Sequence, residues 1–201
     1  MACEYSGVVR QKFRDRGHNA WSCDILPADD NSPFHIQDDV RNYLQLPWDL
    51  MIAHPPCTFM CNSGVSWLHK DDDRWDDLKA AYEFFLELKN ANIPRIAIEN
   101  PIPHKYATKF IGKYTQMIQP YQYGHPEQKA TCLWLKNLPR LVPTKNTFYE
   151  MKKLPKSEAQ RIHMTPPGPD RWKIRSKTFE GIAEAMAEQW GNNPIQTQLN
   201  F

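Results

Sequence analysis

Cys57 has the most chemistry on offer. It closes the run Ile52-Ala53-His54-Pro55-Pro56-Cys57, directly after a short apolar stretch at 50–53. That stretch has the length and composition of a buried strand. Two prolines supply no backbone N–H and fix their own φ, so the chain leaves the strand by a stiff turn. The turn holds the thiol at the strand's carboxyl end, the edge where open α/β sheets bind ligands. A rigidly held thiol there is a candidate nucleophile. The competing reading is a buried structural cysteine, since a free Cys usually behaves as a small hydrophobe.

Other polar residues recur at strand ends. Glu4 closes the first apolar segment, Asp24 the second, Asp39 follows Ile36, and Glu99-Asn100-Pro101 follows the apolar run at 95–98. With Cys57, this recurrence points to an active site along one edge of a sheet. Each has a plainer alternative: a turn with Asn before Pro at 99–101, and a helix N-cap or loop carboxylate at Asp24 and Asp39.

The elements that must position these residues are legible in outline. Residues 1–5 read as a truncated first strand ended by Ser6-Gly7, and 8–16 as a helix with Val9 and Phe13 on one face and Gly17 as its stop. Strands are expected at 19–23, 48–53, 95–98, 117–121 and 131–135. Residues 27–35 read as loop, 40–46 as a short helix or turn, 58–72 as mixed and mobile, and 109–114 as helical. The segment 75–90 is amphipathic, with Leu78, Ala81, Tyr82, Phe85 and Leu88 at spacings of three and four. A closing helix at 179–190 carries Ile182, Ala183, Met186 and Trp190 on one face. Strands alternating with helices predict an α/β fold, a mainly parallel, doubly wound sheet covered on both faces.

At 201 residues one domain spanning 1–201 is the default. Hydrophobic content of 41% and charged content of 24% exclude a disordered or fibrous chain. No apolar run approaches the roughly 20 residues of a membrane span, and the start lacks a secretory pattern. The five cysteines, at 3, 23, 57, 61 and 132, are odd in number and scattered, which fits a reducing cytosol and a cytoplasmic protein rather than a disulfide framework. Cys57 and Cys61 are four apart, but no His or Cys pair completes a zinc set, so no metal is assigned. The net charge is only +2, yet residues 136–177 hold eleven Lys/Arg against three Asp/Glu. A basic segment on a mildly acidic body suggests contact with phosphates; the alternative is a solvated basic loop.

Taken in order, Glu4-Tyr5-Ser6-Gly7, Asp24, Asp39-Val40, Pro55-Pro56-Cys57 and Glu99-Asn100-Pro101 resemble the S-adenosylmethionine-dependent DNA cytosine-C5 methyltransferases, over about residues 2–135 and 174–191. Lys129 to Leu135 stands where that family carries a basic strand motif, and Gly181-Ile182-Ala183 looks like part of its closing helix. The resemblance implies a Rossmann-like class I methyltransferase fold. It implies that Cys57 adds to C6 of cytosine, making C5 enamine-like and able to take a methyl group from the sulfonium. Glu99 would donate to N3 of the base, for which it must hold a proton, and a dry pocket can raise a carboxyl's pKa. Asn100 would fix the local turn. Lys129 and Thr131 would contact the base carbonyl or a phosphate, although the family's Gln-x-Arg-x-Arg pattern reads Gln128-Lys129-Ala130-Thr131-Cys132 here.

For the cofactor, S-adenosyl-L-methionine, the resemblance assigns Ser6 and Gly7 to close backbone approach and Glu4 to its amino group or to the catalytic pocket. Asp24 goes to the ribose hydroxyls, Asp39 and the Val40 amide to the adenine amino group, and Ile25 and Pro55 complete the set. Residues 58–72 match the family's mobile catalytic loop, with Ser63-Gly64 as a hinge.

The chain also departs from the family. Full-length members carry a large target-recognition domain where this chain has only a short basic insertion at about 136–174, with Tyr149, His163 and Trp172 interspersed. Such a segment could track phosphates and stack on single-stranded bases. A cytosine in duplex DNA would have to be flipped out, at about a few kcal/mol. Short or loose specificity, or a helper protein, is expected. The first strand starts several residues late, which reads as a trimmed start or a short strand. Two other functions stay open: the same C5 chemistry on a cytosine nucleotide, on RNA or with another transferred group, and a catalytically silent nucleic-acid- or partner-binding protein.

Overall fold

The structure is a computed structural model that describes residues 1–71 and 73–191. In chain order the elements are α1 (Val8–Asp15), β1 (Ser22–Asp24), β2 (His35–Gln37), β3 (Leu50–Ala53), α2 (Asp73–Lys89), β4 (Arg95–Pro101), α3 (Lys105–Ile111), β5 (Gln116–Ile118) and β6 (Thr131–Lys136). Four short helices follow, α4 (Phe148–Lys153), α5 (Lys156–Ala159), α6 (Arg161–Met164) and α7 (Arg171–Ser176), and α8 (Glu180–Gly191) closes the described chain. Short 3-10 segments span Val40–Tyr43, Asn62–His69 and Pro120–Gln122.

The fold is mixed α/β. The named strands form a parallel pair, β1-β2, and a four-stranded sheet in the order β3-β4-β6-β5. Ala2 joins the two by bridging to Cys23 on one side and Ala53 on the other, both parallel. The Ala2 N–H donates to the Ile52 carbonyl at 2.8 Å, and the His54 N–H returns to the Ala2 carbonyl at 2.9 Å. The expected first strand is therefore a short central ribbon rather than a full strand. β3 and β4 run parallel, while β6 is antiparallel to both β4 and β5. The sheet is thus mixed in direction, against the mainly parallel expectation. With the N-terminal ribbon counted as the first strand, it departs from the doubly wound order 3-2-1-4-5-6 by one antiparallel insertion.

Alternation along the strands splits the core between two faces. Met51, Ala53, Ile96, Ile98, Cys132 and Trp134 pack with Leu78, Phe85 and Leu88 of α2 and with Ala107 and Ile111 of α3. Ile52, Ala97 and Leu133 pack with Val9 and Phe13 of α1 and with Ile182, Ala183, Met186 and Trp190 of α8. Gly17, with φ 82°, follows α1 as expected of a helix stop.

Several expectations need correction. The second strand is Ser22–Asp24, not 19–23, and a strand at His35–Gln37 replaces part of the expected loop. The helix expected at 109–114 lies earlier, at Lys105–Ile111, because His104 caps it by accepting from the Ala107 N–H. The strand expected at 117–121 is only Gln116–Ile118, since Pro120 opens a 3-10 turn. The segment 58–72 contains the Asn62–His69 turn, with Cys61 bridged to Pro103, so it is tied to the exit of β4; Asp72 lies outside the described residues.

Candidate functional site

The β3 edge positions the site. The topology reverses between the N-terminal ribbon and β3, and at such a switch point open sheets leave a crevice at their carboxyl ends. A cavity of about 150 Å³ lies there, lined by Glu4, Ser6, Pro55, Cys57, Glu99, Asn100, Lys129 and Thr131 among others. Residues that the sequence placed at four separate strand ends or starts therefore share one space. Gly7, Asp24, Ile25, Asp39 and Val40 lie outside this cavity. Val40 is buried and lines a larger cavity, about 310 Å³, at the opposite end of the sheet beside Trp48 and Trp190.

The Pro-Pro turn behaves as its chemistry dictates. The Pro55 carbonyl accepts the Asn100 side-chain amide at 3.2 Å, which locks the end of β4 to the turn before the thiol. The Cys57 carbonyl then accepts from Met60 and Cys61 N–H groups at 3.1 and 3.0 Å. Cys57 is half-buried. Its thiol is pushed up, first by a hydrogen bond with the Cys61 thiol and then by burial; Lys129 and Arg175 pull it down. Cys61 in turn meets the Ser63 hydroxyl at 3.0 Å.

Glu99 is almost enclosed, and its Oε2 lies 3.3 Å from His54 Nδ1. Burial pushes Glu99 up, but the His54 hydrogen bond and charge, then Lys129 and the Thr178 hydroxyl, outweigh it and hold the carboxyl below its ordinary value. On His54 burial acts downward, yet Glu99 and then Glu4 raise the imidazole above its ordinary value. The contact is an ion pair when His54 is protonated, the form that Glu99 favours. This corrects the expectation that a dry pocket raises the Glu99 carboxyl: the neighbouring imidazole outweighs burial. Burial lowers Lys129, which Glu99 and Cys57 partly offset and Arg175 reinforces. The Lys129 ammonium also donates to the Lys177 carbonyl at 3.3 Å. Thr131 is buried, and its hydroxyl donates to the Lys129 carbonyl at 3.2 Å, which makes it a strand-start anchor for Lys129.

Three of the expected cofactor residues are engaged elsewhere. Both oxygens of buried Glu4 accept from the first turn of α1, from the Val9 N–H at 2.6 Å and the Arg10 N–H at 3.2 Å. Asp39 caps the Val40–Tyr43 turn, accepting from the Arg41 N–H at 2.9 Å and its guanidinium at 3.1 Å. Gly7 has φ 69°, and the space a side chain would take there is filled by the Arg10–Asp30 ion pair. Asp24 is half-buried at the end of β1, raised by burial, and accepts the Leu26 N–H at 3.0 Å; Ile25 beside it is 72% exposed. Cys3 connects the two regions. It lines the cavity, and its thiol is pushed up to about 12 by burial and then by charges that include Asp24 and Asp39.

Sequence reasoning missed His54, Thr178 and Arg10. His54 stood in plain view, three residues before the thiol at the same strand end. Arg10, within the helix expected at 8–16, is fully buried and donates to the Ser22 hydroxyl at 2.7 Å. Nothing in the local pattern around Thr178 marks it.

No protein-family model matches the chain, and no curated protein matches it. Among solved structures, a similar chain is one described, provisionally in its own words, as a DNA modification methyltransferase encoded within a prophage (E. coli), at 16% identity and a TM-score of 0.45. The match covers 67% of this chain and 44% of that one, so the chain spans less than half of its neighbour's length. The likeness is too distant to carry an argument about function.

Proposed function

We propose that the chain transfers a methyl group from S-adenosylmethionine to C5 of cytosine in DNA, through a covalent bond between Cys57 and C6. The observation that carries this reading is the convergence of Cys57, Glu99, Asn100 and Lys129 on one cavity, from a turn, a strand end and a strand start far apart in sequence. A thiol, a carboxyl and a cation together suit addition to an electron-poor ring. Lys129 and Arg175 favour the thiolate that attacks, Asn100 holds the Pro-Pro turn, and Glu99 faces the ring nitrogen.

The cofactor, when bound, supplies the electrophilic methyl group. The residues present fit it in type. Asp24 offers a ribose acceptor and the exposed Ile25 an apolar wall for the purine. The ribbon at Glu4, Tyr5 and Ser6 borders the cavity, with the left-handed Gly7 just beyond it. Because Glu4 caps α1 and Asp39 pairs with Arg41, they shape the cofactor's side of the site through backbone placement rather than through free carboxylates. The basic helix α7 lies over the ribbon, with Trp172 against Tyr5 at 5.4 Å and Ser176 on the Tyr5 hydroxyl at 3.1 Å. Arg175 and Lys177 there suit a nucleic-acid phosphate.

Radiolabelled S-adenosylmethionine offered with duplex DNA, single-stranded DNA, RNA and dCMP tests the reading. Label on C5 of cytosine in DNA, abolished in Cys57→Ala, is the expected result. Label only on RNA or dCMP moves the substrate to the second reading, and no label on any cytosine overturns the chemistry.

A further inference from the structure

Donation to the ring nitrogen of cytosine needs an acid, and an ionised carboxylate can only accept. Glu99 is held below its ordinary value, and its Oε2 takes both His54 Nδ1, at 3.3 Å, and the Thr178 hydroxyl, at 3.5 Å. The His54 backbone is fixed in place: its peptide N–H donates to the Ala2 carbonyl at 2.9 Å, and Pro55 follows it. Its Nδ1 meets Glu99, whereas its Nε2 is buried without a hydrogen-bond partner. The charges that act on the imidazole are Glu99 from the end of β4, then Glu4 and the Met1 amino group from the ribbon; its own charge is also felt at Asp24.

We propose that His54 is the proton store for Glu99, a positioning residue that lets the carboxyl act as the acid toward cytosine N3. As the base enters, the Nδ1–H bond of the imidazolium breaks and an O–H bond forms on Glu99. The products are a neutral imidazole and a neutral carboxylic acid, with no co-reactant. The acid then donates to N3, which in neutral cytosine is an acceptor. This rests on the reading that Cys57 adds to C6 of cytosine.

The test uses the full chain and two readouts. In an NMR titration the His54 ring should titrate above 6.5, its ordinary value, and drop when Glu99→Gln removes the partner charge. His54→Asn keeps an N–H near the Nδ1 position but holds no transferable proton. It should cut kcat by about 10²-fold, the low end for general acid catalysis, with KM for DNA nearly unchanged, and should abolish the alkaline limb of the kcat profile. His54→Gln, which moves the amide away from that position, should do no better. A His54 that titrates below 6.5 or ignores Glu99→Gln overturns the proposal. An active wild type whose pH profile survives His54→Asn does so too, while leaving the methyl-transfer reading intact. A wild type without transfer to any cytosine sinks both.

Discussion

The Cys57 thiol is held above its ordinary value, so less of it is thiolate than in a free cysteine. Cys61 is the largest cause, burial adds to it, and Lys129 and Arg175 oppose both. Cys61→Ala should therefore speed alkylation of Cys57 by iodoacetamide at pH 8 several-fold, and Lys129→Ala should slow it, as followed by mass spectrometry of the Cys57 peptide. Equal rates in all three proteins would show that neither neighbour governs the thiol. The His54–Glu99 pair sets a stability window as well. Glu99 is held below its ordinary value, so its contribution is present above about 4.5 and is lost as pH falls through the lowered pKa. His54 is raised, so its contribution is full below 6.5 and is lost as pH rises through its folded value. Urea midpoints of the wild type should be highest between those limits and decline on the alkaline side. His54→Gln should flatten that alkaline decline. At this scale the sequence was readable where chemistry and position coincide, as at Cys57 and Glu99. It was unreadable where a partner decides, since no pattern announces that His54 holds Glu99 below its ordinary value or that Arg41 occupies Asp39.

The N-terminal ribbon and α1 act as one element through Glu4. Its carboxylate satisfies two N–H groups of the first turn and offsets the helix dipole. Glu4→Ala should cost about 0.5–2 kcal/mol, the range for losing a helix cap, measured as a lower urea midpoint at unchanged m-value. A substitution that leaves the midpoint unmoved would mean that water replaces the carboxylate. In α8, Gly181 lies where a Cβ would overlap the Tyr123 carbonyl oxygen, and its N–H donates to His125 Nε2 at 3.0 Å. Gly181→Ala should destabilise by about 1–3 kcal/mol as an overpacked contact, although alanine is the better helix former. Long elements were legible: the α2 and α8 faces follow the expected spacing. Short ones were not. β2 has three residues, two of them polar, and α4 to α7 have four to six each, too few for a period to register.

For the whole molecule, the basic segment matters through where it folds. α7 lies over the N-terminal ribbon, and Arg175, Ser176, Lys177 and Thr178 form one wall of the cavity. Two cations of the basic segment read from the sequence, Arg175 and Lys177, are thereby brought to the candidate site. If DNA is the substrate, Arg171→Ala with Lys173→Ala should weaken binding about equally for all sequences. It should also reduce the slope of log K against log salt by about two, one per phosphate contact. An unchanged slope would move the DNA path off α7. The central claim is the covalent bond between Cys57 and cytosine. It is tested most directly by incubating the protein with S-adenosylmethionine and DNA carrying 5-fluorocytosine, then reading intact mass after denaturation. The account predicts a stable protein–DNA adduct mapped to Cys57 and missing in Cys57→Ala; methylated cytosine in ordinary DNA without any such adduct, or an adduct that survives Cys57→Ala, would contradict it.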